Sequence, residues 1–257
     1  MKHIRFNILL LILLYNAFCH NVLNAQTLIW SDEFNYNGLP DTNKWGNEIG
    51  YIRNNELQYY TDRKENQIVR NGCLEIIALK EAYKGYSYTS ASINTLGKAS
   101  WKYGRIEARM KFSKGQGIWP AFWTLGKNIN EVGWPKCGEI DIMEHINNEE
   151  ITYGTLHWAN EENHSHVQNQ GFSAIDVTEF HNYAILWNAD SIAWYIDDRQ
   201  FHKVIISDGI NGTEEIHKPH YILFNLAVGG DWPGSPDSTT VFPAKLFVDY
   251  VRVYSLE

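Results

Sequence analysis

Apolar and polar residues alternate with a period of two in four segments of the chain, 73–80, 103–112, 183–198 and 245–255. This period is typical of β-strands, because successive side chains of a strand point to opposite faces of a sheet. The residues Asn-Ala-Asp at 188–190 interrupt the third segment and predict a hairpin turn. Helical periodicity is almost absent, and one helical turn is expected at 176–181. Many short strands predict an all-β fold, an antiparallel β-sandwich of the jelly-roll type.

The N-terminal 25 residues have the pattern of a secretory signal peptide, with basic residues, the apolar run 8–14 and then a polar stretch. The apolar run is shorter than the ~20 residues that a membrane span needs. We therefore expect residues 1–25 to be removed and residues 26–257 to be exported as one domain, to the periplasm or the medium. Cys19 leaves a lipoprotein anchor as an alternative, although Phe18 stands where such signals carry a small residue.

The composition favours a neutral sugar as the partner. The net charge of −8 argues against nucleic acids and membranes, because both reward basic surfaces. The chain has ten Trp, fifteen Tyr and eleven Phe, which is more aromatic surface than ordinary core packing requires. Exposed aromatic rings in a cleft bind the apolar faces of sugar rings. We expect the protein to be a monomer.

Only two cysteines follow the predicted signal peptide, Cys73 and Cys137. A disulfide framework is therefore not what holds this fold together. Two separate buried thiols are favoured, and a single bridge between them stays open as the alternative.

Residues 138–145, Gly-Glu-Ile-Asp-Ile-Met-Glu-His, place three carboxylates in an apolar, strand-like run, where burial of each charge is costly. Strict alternation puts Glu139 and Asp141 on one face but turns Glu144 toward the core. A one-residue β-bulge at 142–143 returns Glu144 to the acidic face, and bulges are common beside active sites. The sequence therefore predicts a bulged strand that presents Glu139, Asp141 and Glu144 together, a group called here the carboxylate cluster.

The spacing of the carboxylate cluster favours the chemistry of a retaining glycosidase. The α-carbons of Glu139 and Glu144 would lie about 13 Å apart at ~3.3 Å per residue. Two glutamate side chains can close most of that gap. Retaining enzymes hold two carboxyls about 5–5.5 Å apart, whereas inverting enzymes leave room for a water molecule. Asp141 can hydrogen-bond a neighbouring carboxyl and help to keep the two glutamates in different protonation states.

Three other interpretations of the same stretch stay open. A helix would place positions 139 and 144 about 140° apart and would leave the alternation unexplained. A metal site with His145 is chemically possible, but this side chain should face away from Glu144. A solvated acidic strand face is the ordinary structural explanation.

The cluster and its surroundings resemble glycoside hydrolase family 16 in its bulged E-x-D-x-x-E form. The resemblance runs from about Leu28 to Tyr254 and is closest to bacterial laminarinases, which are endo-acting β-1,3-glucanases. Its motifs follow the family's order: WSDEF at 30–34, NNELQYYT at 54–61, YGRIEARMKF at 103–112, GIWPAFWTLG at 117–126, GTLHW at 154–158, FHNYAILWNADSIAWYID at 180–197, FNLAVGGDWPGSPD at 224–237 and FVDYVRVY at 247–254. It implies a jelly roll with a concave substrate cleft, and a catalytic domain at 26–257.

The resemblance also implies roles for individual residues. It makes Glu139 the nucleophile, Glu144 the acid/base and Asp141 their partner. Two tryptophans match sugar-stacking positions, although one of them could belong to the core: Trp119 and Trp123. Six further residues match positions that commonly line the cleft: Asn54, Glu56, Arg105, His157, Asn225 and Trp232. Arg105 as a counter-charge to a carboxylate, and His157 as a structural histidine, stay open as alternatives.

No cofactor is expected for catalysis, but many members of the family carry a structural calcium ion away from the chemistry. The resemblance places its ligands at Glu33, Asp249 and the backbone oxygen of Gly72, and oxygen ligands suit this hard cation. A structural carboxylate pair where the chain ends meet is the alternative. The polar stretch 159–171 is expected to be a solvated loop, which is favoured over a metal site at its two histidines.

The leading hypothesis is therefore a secreted retaining endo-β-1,3-glucanase that hydrolyses laminarin-type β-glucan by double displacement. The second hypothesis keeps this mechanism for mixed-linkage β-1,3-1,4-glucan or, with less support, agarose. A third hypothesis is a non-catalytic glucan-binding protein on the same scaffold. Such proteins typically lose catalytic carboxylates, and the intact cluster argues against it.

Overall fold

The computed structural model describes residues 26–256, so the predicted signal peptide lies outside the described residues. These residues form two β-sheets. The larger sheet contains ten strands: β1 (Thr27–Asp32), β3 (Gln58–Tyr60), β4 (Gln67–Arg70), β5 (Cys73–Tyr83), β6 (Tyr86–Ser90), β8 (Gly104–Phe112), β13 (His181–Trp187), β14 (Ser191–Ile196), β15 (Arg199–Ile205) and β17 (Ala244–Ser255). The smaller sheet contains seven: β2 (Gly46–Glu48), β7 (Ser92–Asn94), β9 (Ile118–Gly126), β10 (Glu139–Glu144), β11 (Ile151–Ala159), β12 (His166–Ala174) and β16 (His220–Val228).

The order of the strands brings distant parts of the chain together. In the larger sheet it is β15-β14-β13-β8-β17-β5-β6-β3, with β1 beside β17 and β4 beside β5. In the smaller sheet it is β12-β11-β10-β9-β16-β7-β2. Among the described strands, only β3 and β6 pair in parallel. The predicted jelly-roll β-sandwich is confirmed, and β10, which carries the carboxylate cluster, lies near the middle of the smaller sheet.

The four alternating segments form strands as predicted. They correspond to β5, to β8, to the β13–β14 hairpin and to β17. The hairpin turns at Asn188, whose side-chain oxygen accepts the backbone N–H groups of Asp190 and Ser191, each at 2.8 Å. This use of a short polar side chain explains why the alternation breaks at 188–190.

Two local predictions are wrong. The expected helical turn at 176–181 is a β-turn, in which the Glu179 N–H donates to the Asp176 oxygen at 3.2 Å. The helical elements lie elsewhere: α1 spans Ile129–Val132 and a 3-10 helix spans Ser207–His217. The expected loop 159–171 becomes strand β12 from His166 onward. Because β12 is a largely exposed edge strand, it lacks the apolar alternation that predicts strands. Within residues 26–256, no helix is long and apolar enough to cross a membrane.

The core lies between the two sheets. Phe122 of β9 and Phe224 of β16 are cross-strand partners whose rings stack at 4.6 Å and 9°. Both are fully buried, and each ring of this size contributes about 2–3 kcal/mol when it leaves water. Cys73 and Cys137 are free thiols, as the favoured interpretation predicted, but only Cys137 is buried, whereas Cys73 is partly exposed.

Candidate active site

The predicted bulge lies in β10. On the β9 side, Asp141 and Met143 pair with consecutive residues, so Ile142 has no partner of its own. On the β11 side, the register shifts between Asp141 and Glu144. Ile142 and Met143 are both buried in the core between the sheets, whereas Glu144 lines the same cavity as Glu139 and Asp141. The bulge prediction is confirmed, and the helical interpretation of this stretch is wrong.

A buried tryptophan of the other sheet supports this bulge. The indole N–H of Trp194 in β14 donates to the backbone oxygen of Asp141 at 2.7 Å. The facing residue of β11 is Gly154, where a Cβ atom would collide with the Trp194 ring. A bulge disrupts the ladder of backbone hydrogen bonds, and a buried carbonyl without a partner is costly. The Trp194 hydrogen bond therefore stabilises the bulged conformation.

The carboxylate cluster lines a cavity of about 370 Å³ on the face of the smaller sheet that points away from the core. This cavity and its rim are called here the cleft. Eight predicted site residues line the cavity: Asn54, Glu56, Trp119, Trp123, Glu139, Asp141, Glu144 and Asn225. Two others contact these residues: His157 lies beside Asp141, and Trp232 packs edge-on against Trp119 at 5.6 Å between ring centroids.

The placement of Arg105 in the cleft is wrong. Arg105 lies on β8 of the larger sheet, where its side chain is on the face opposite to the buried Ile106. Its guanidinium donates to Glu107 at 2.6 Å and to Asp198 at 2.9 Å. The alternative interpretation, a counter-charge to a carboxylate, describes Arg105 in this structure.

The two predicted sugar-stacking tryptophans have different surroundings. Trp119 is partly exposed, and its indole N–H donates to Glu144 Oε1 at 3.0 Å. Trp123 is only 6% exposed and donates to Asn225 Oδ1 at 2.7 Å. The Arg53 guanidinium covers the Trp123 ring at 5.0 Å. Trp119 therefore offers a surface to a ligand, whereas Trp123 mainly builds the floor of the cleft.

Burial raises the pKa of every carboxyl in the cluster. The pKa of Glu139 rises to about 8, first through burial and then through the charge of Asp141. The pKa of Glu144 lies well above its usual value for the same two reasons, in the same order. Burial also raises the pKa of Asp141. Burial therefore makes each of the three carboxyls harder to ionise than an exposed carboxyl.

The two glutamates differ in the groups that favour their charged form. Glu139 Oε2 accepts the indole N–H of Trp134 at 2.9 Å, and the positive charge of Arg53 lowers the pKa of Glu139. Glu144 likewise accepts a neutral indole N–H, from Trp119, and the charge of His157 lowers the pKa of both glutamates, so Arg53 is the additional group that favours ionised Glu139. Glu139 is consequently the glutamate that ionises more readily, which suits a nucleophile, and Glu144 is the one that keeps a proton.

Sequence reasoning missed three residues at this site: Arg53, Trp134 and His166. Arg53 stands one position before a recognised motif, and Trp134 precedes the cluster by five positions. His166 forms a 2.8 Å hydrogen bond with His157 and lies against the ring of Trp134. The only sequence signal for His166 was its place in a polar stretch, which by itself predicts a solvated loop.

Two groups of residues are candidates for holding a cation. Glu139, Asp141 and His157 each bring one donor atom within 4.8 Å of the others. Asp141 and His157 lie 2.9 Å apart, so an ion pair between them explains why these donor atoms are close without a metal ion. His145 takes no part, because its ring nitrogens contact the backbone oxygens of Ile151 and Asn147.

The predicted calcium ligands are engaged in ion pairs. Strand β1 pairs with β17, so the two ends of the described chain meet. Both carboxylate oxygens of Glu33 accept hydrogen bonds from Arg252, at 3.0 and 2.7 Å, and Asp249 pairs with Arg109 at 2.6 Å. The donor set fits calcium only in part, because an ion near Gly72 would compete with two arginines. Calcium therefore stays a prediction.

The model of the family "Glycosyl hydrolases family 16" matches residues 49–252. This chain belongs to glycoside hydrolase family 16. It is therefore a glycoside hydrolase, and enzymes of this family need no catalytic cofactor. The carboxylate cluster lies within the matched region, at the centre of the cleft.

Similar proteins fit this assignment. The chain is 42% identical to a beta-glucanase of Rhodothermus marinus over 242 residues, which cover 88% of this chain and 84% of that protein. It is 41% identical to the clotting factor G alpha subunit of Tachypleus tridentatus, but spans only 34% of its length. The solved structure of the laminarinase from Rhodothermus marinus superimposes with a TM-score of 0.83 at 40% identity, over 91% of this chain and 99% of that chain.

Proposed function

We propose that this family 16 enzyme is a retaining endo-β-1,3-glucanase that hydrolyses laminarin-type β-glucan by double displacement. The observation that carries the mechanism is the bulged strand β10, which brings Glu139 and Glu144 to one face with different hydrogen-bond partners. The substrate class is supported by the laminarinase and beta-glucanase named among the similar proteins.

In the first step, Glu139 attacks the anomeric carbon while Glu144 protonates the leaving glycosidic oxygen. The raised pKa of Glu144 supports the second role, because an acid must still hold its proton at the working pH. The Trp134 N–H and the charge of Arg53 support the ionised form of Glu139. The bond to the leaving sugar breaks, and a covalent glycosyl-enzyme ester forms on Glu139.

In the second step, the ionised Glu144 accepts a proton from a water molecule, and this water attacks the anomeric carbon. The ester bond to Glu139 breaks, which restores both carboxyls to their starting states. Asp141 lies between the glutamates along β10 and supports the exchange of charge between them. Two inversions at one carbon return the β configuration to the product.

The aromatic residues of the cleft support binding of a sugar chain. Trp119 is partly exposed and is held edge-on by Trp232, which is 38% exposed. Tyr153 contacts Trp232 at 5.1 Å, so the aromatic surface continues beyond the cavity. Such rings bind any pyranose by its apolar face, so they do not distinguish β-1,3-glucan from mixed-linkage glucan or agarose.

The experiment that tests the proposal measures the reducing ends that the purified protein releases from laminarin, mixed-linkage glucan and agarose. We expect laminarin to be the preferred substrate, and Glu139→Ala to abolish hydrolysis. Glu150→Ala is the matched control, because Glu150 is an exposed acid that pairs with Lys114 on the surface. Full activity of Glu139→Ala would exclude Glu139 as the nucleophile, and preference for agarose would exclude the substrate class.

Export and calcium binding complete the proposal. If the signal peptide is cleaved after residue 25, protein recovered from the medium or periplasm should begin at Gln26. N-terminal sequencing tests this. Calcium near Glu33 and Asp249 would raise the melting temperature, and a melting temperature that a chelator does not change would remove the reason to propose the ion.

A further inference from the structure

His166 lies beside the catalytic centre although it begins an exposed edge strand. In the β11–β12 ladder, His157 is paired with Gln168, and His166 is two residues further along the same face of β12. Diagonal neighbours of this kind are within reach of aromatic side chains. Nδ1 of His157 and Nε2 of His166 are 2.8 Å apart in a hydrogen bond, and the two rings stack at 5.0 Å and 21°.

The other nitrogen of His157 faces the carboxylate cluster. Its Nε2 is 2.9 Å from Asp141 Oδ2 and 3.8 Å from Glu139 Oε1. The His157 ring therefore lies between Asp141 and His166: Nδ1 is hydrogen-bonded to His166, whereas Nε2 is within ion-pair distance of Asp141 Oδ2 without a hydrogen bond between them. In neutral imidazole one nitrogen carries a proton and the other a lone pair, so the partner on one side determines what the ring presents on the other.

His166 also contacts the ring of Trp134. The Trp134 ring lies 4.7 Å from the His166 ring at 42°, and the same indole donates to Glu139. Trp134 thus links His166 to the nucleophile as well as to His157. An exposed histidine that packs against two aromatic rings and hydrogen-bonds one of them has a restricted orientation, unlike a solvated loop residue.

Resting on the proposed function, we propose that His166 is a positioning residue for hydrolysis. It donates its Nε2–H to His157 Nδ1, and so holds His157 in the tautomer that presents Nε2–H to Asp141. This tautomer favours the ionised form of Asp141. In the opposite tautomer, the Nε2 lone pair of His157 would face Asp141 Oδ2 at 2.9 Å, and Asp141 would need a proton to remain there.

The charged groups around this pair determine how the effect becomes visible. Glu139, Asp141 and Glu144 face His157 from β10, and Arg53 faces the cluster from the segment after β2. Without the donor from His166, the cluster would hold its proton to higher pH. The acid limb of the kcat/KM profile would then move upward by about 0.5–1 pH unit, the size expected for one lost hydrogen bond.

Two substitutions separate the hydrogen bond from the packing. His166→Phe keeps an aromatic ring against His157 and Trp134 but has no N–H donor. His166→Gln keeps an N–H donor but has no ring. His164→Asn is the matched control, because His164 is an exposed histidine two residues away. Its backbone is in the left-handed region, which asparagine tolerates.

The first readout is the tautomer of His157, measured by ¹⁵N NMR on histidine-labelled protein and assigned by loss of the signal in His157→Gln. We expect the Nε2–H tautomer in the wild type, in His166→Gln and in His164→Asn, and a mixture of tautomers in His166→Phe. An Nδ1–H tautomer of His157 in the wild type would overturn the proposal. So would a His166→Phe variant in which His157 keeps the same tautomer as in the wild type.

The second readout is the pH profile of kcat/KM on laminarin. We expect the acid limb of His166→Phe to move to higher pH and that of His166→Gln to stay near the wild type. Profiles of all variants that superimpose on the wild type would overturn the positioning role. The NMR readout needs no substrate, so the two proposals can fail separately. A wild-type protein that is inactive on every glucan would refute the proposed function, whereas the tautomer of His157 would still be decided by NMR.

Discussion

Glu139 and Glu144 are the same residue type five positions apart, and their neighbours suit them to the two different roles proposed above. Glu144 is buried and Glu139 is only partly exposed, so both resist ionisation. Each accepts one indole N–H, Glu139 from Trp134 and Glu144 from Trp119, and the charge of Arg53 additionally favours the ionised form of Glu139. The proposed division into nucleophile and acid therefore depends on side chains outside β10, and substitutions of these neighbours should shift the pKa of one glutamate while both glutamates stay in place.

The first residue-scale prediction concerns Trp119→Phe. The indole hydrogen bond lowers the pKa of Glu144, so its removal should raise that pKa further. Because Glu144 must be protonated to act as the acid, the basic limb of the kcat/KM profile should move to higher pH. Phenylalanine keeps an aromatic face for the sugar. Trp123→Phe is the control, since Trp123 bonds Asn225 instead, and its basic limb should not move.

The second residue-scale prediction concerns stability. The pKa of Glu139 is raised to about 8 in the folded protein, from 4.5 for an unperturbed glutamate. The folded state therefore binds the proton more tightly, and this residue makes unfolding easier as pH rises from about 4.5 to 8. Glu139→Gln cannot ionise, so its stability relative to the wild type should increase across that window by on the order of 3 kcal/mol.

Urea unfolding at pH 4.5 and pH 8 measures this difference. Glu179→Gln is the control, because Glu179 is exposed on a surface turn and should show no such pH-dependent gain. A Glu139→Gln protein that loses stability relative to the wild type as pH rises would contradict the raised pKa.

At the scale of the strand, the bulge reconciles two demands on β10. Ile142 and Met143 both fill the core, and Glu144 still faces the cleft. The carbonyl of Asp141 receives the Trp194 N–H, so the irregular backbone carries no unpaired oxygen at that point. In a regular strand, Asp141 and Glu144 would share a face only if an odd number of residues separated them. Two residues do, and the bulge absorbs one of them.

This reasoning makes a prediction for two deletions. Deleting Met143 leaves Glu-Ile-Asp-Ile-Glu, in which a regular strand places all three carboxylates on one face. We expect a folded protein, destabilised by about 2–5 kcal/mol through loss of the buried methionine, that retains part of its hydrolytic activity. Deleting both Ile142 and Met143 turns the second glutamate toward the core and should abolish activity.

Reducing-end release, with circular dichroism to establish folding, measures both deletions. A folded Met143 deletion with no more activity than Glu139→Ala would contradict the account of the bulge.

The strand scale also explains which features sequence could predict. The alternation of β5, β8 and β17 and the excess residue in β10 are local patterns, and they predicted strands and the bulge directly. His166 and Trp134 meet only because β10, β11 and β12 are neighbours and a loop folds over them, so no local pattern indicated their contact. Arg105 matched a motif, but motif similarity does not state which sheet a strand joins.

In the whole molecule, the two sheets of the sandwich have different tasks: the larger sheet supports the site, and the smaller sheet carries it. The larger sheet supplies Trp194 behind the bulge, and within it β1 pairs with β17, so the two ends of the described chain are neighbours. The smaller sheet presents the carboxylate cluster on its outer face, with aromatic residues around the cavity. The close superposition on a laminarinase over 91% of the chain agrees with one continuous scaffold for this arrangement.

The central claim is that Glu139 and Glu144 hydrolyse a β-glucan with retention of configuration. Proton NMR of laminarin during the first minutes of hydrolysis reports the anomer that forms before mutarotation. We expect the β anomer to appear first and the α anomer to follow only by equilibration. An α anomer formed first would mean a single displacement by water, and it would contradict the roles assigned to the two glutamates.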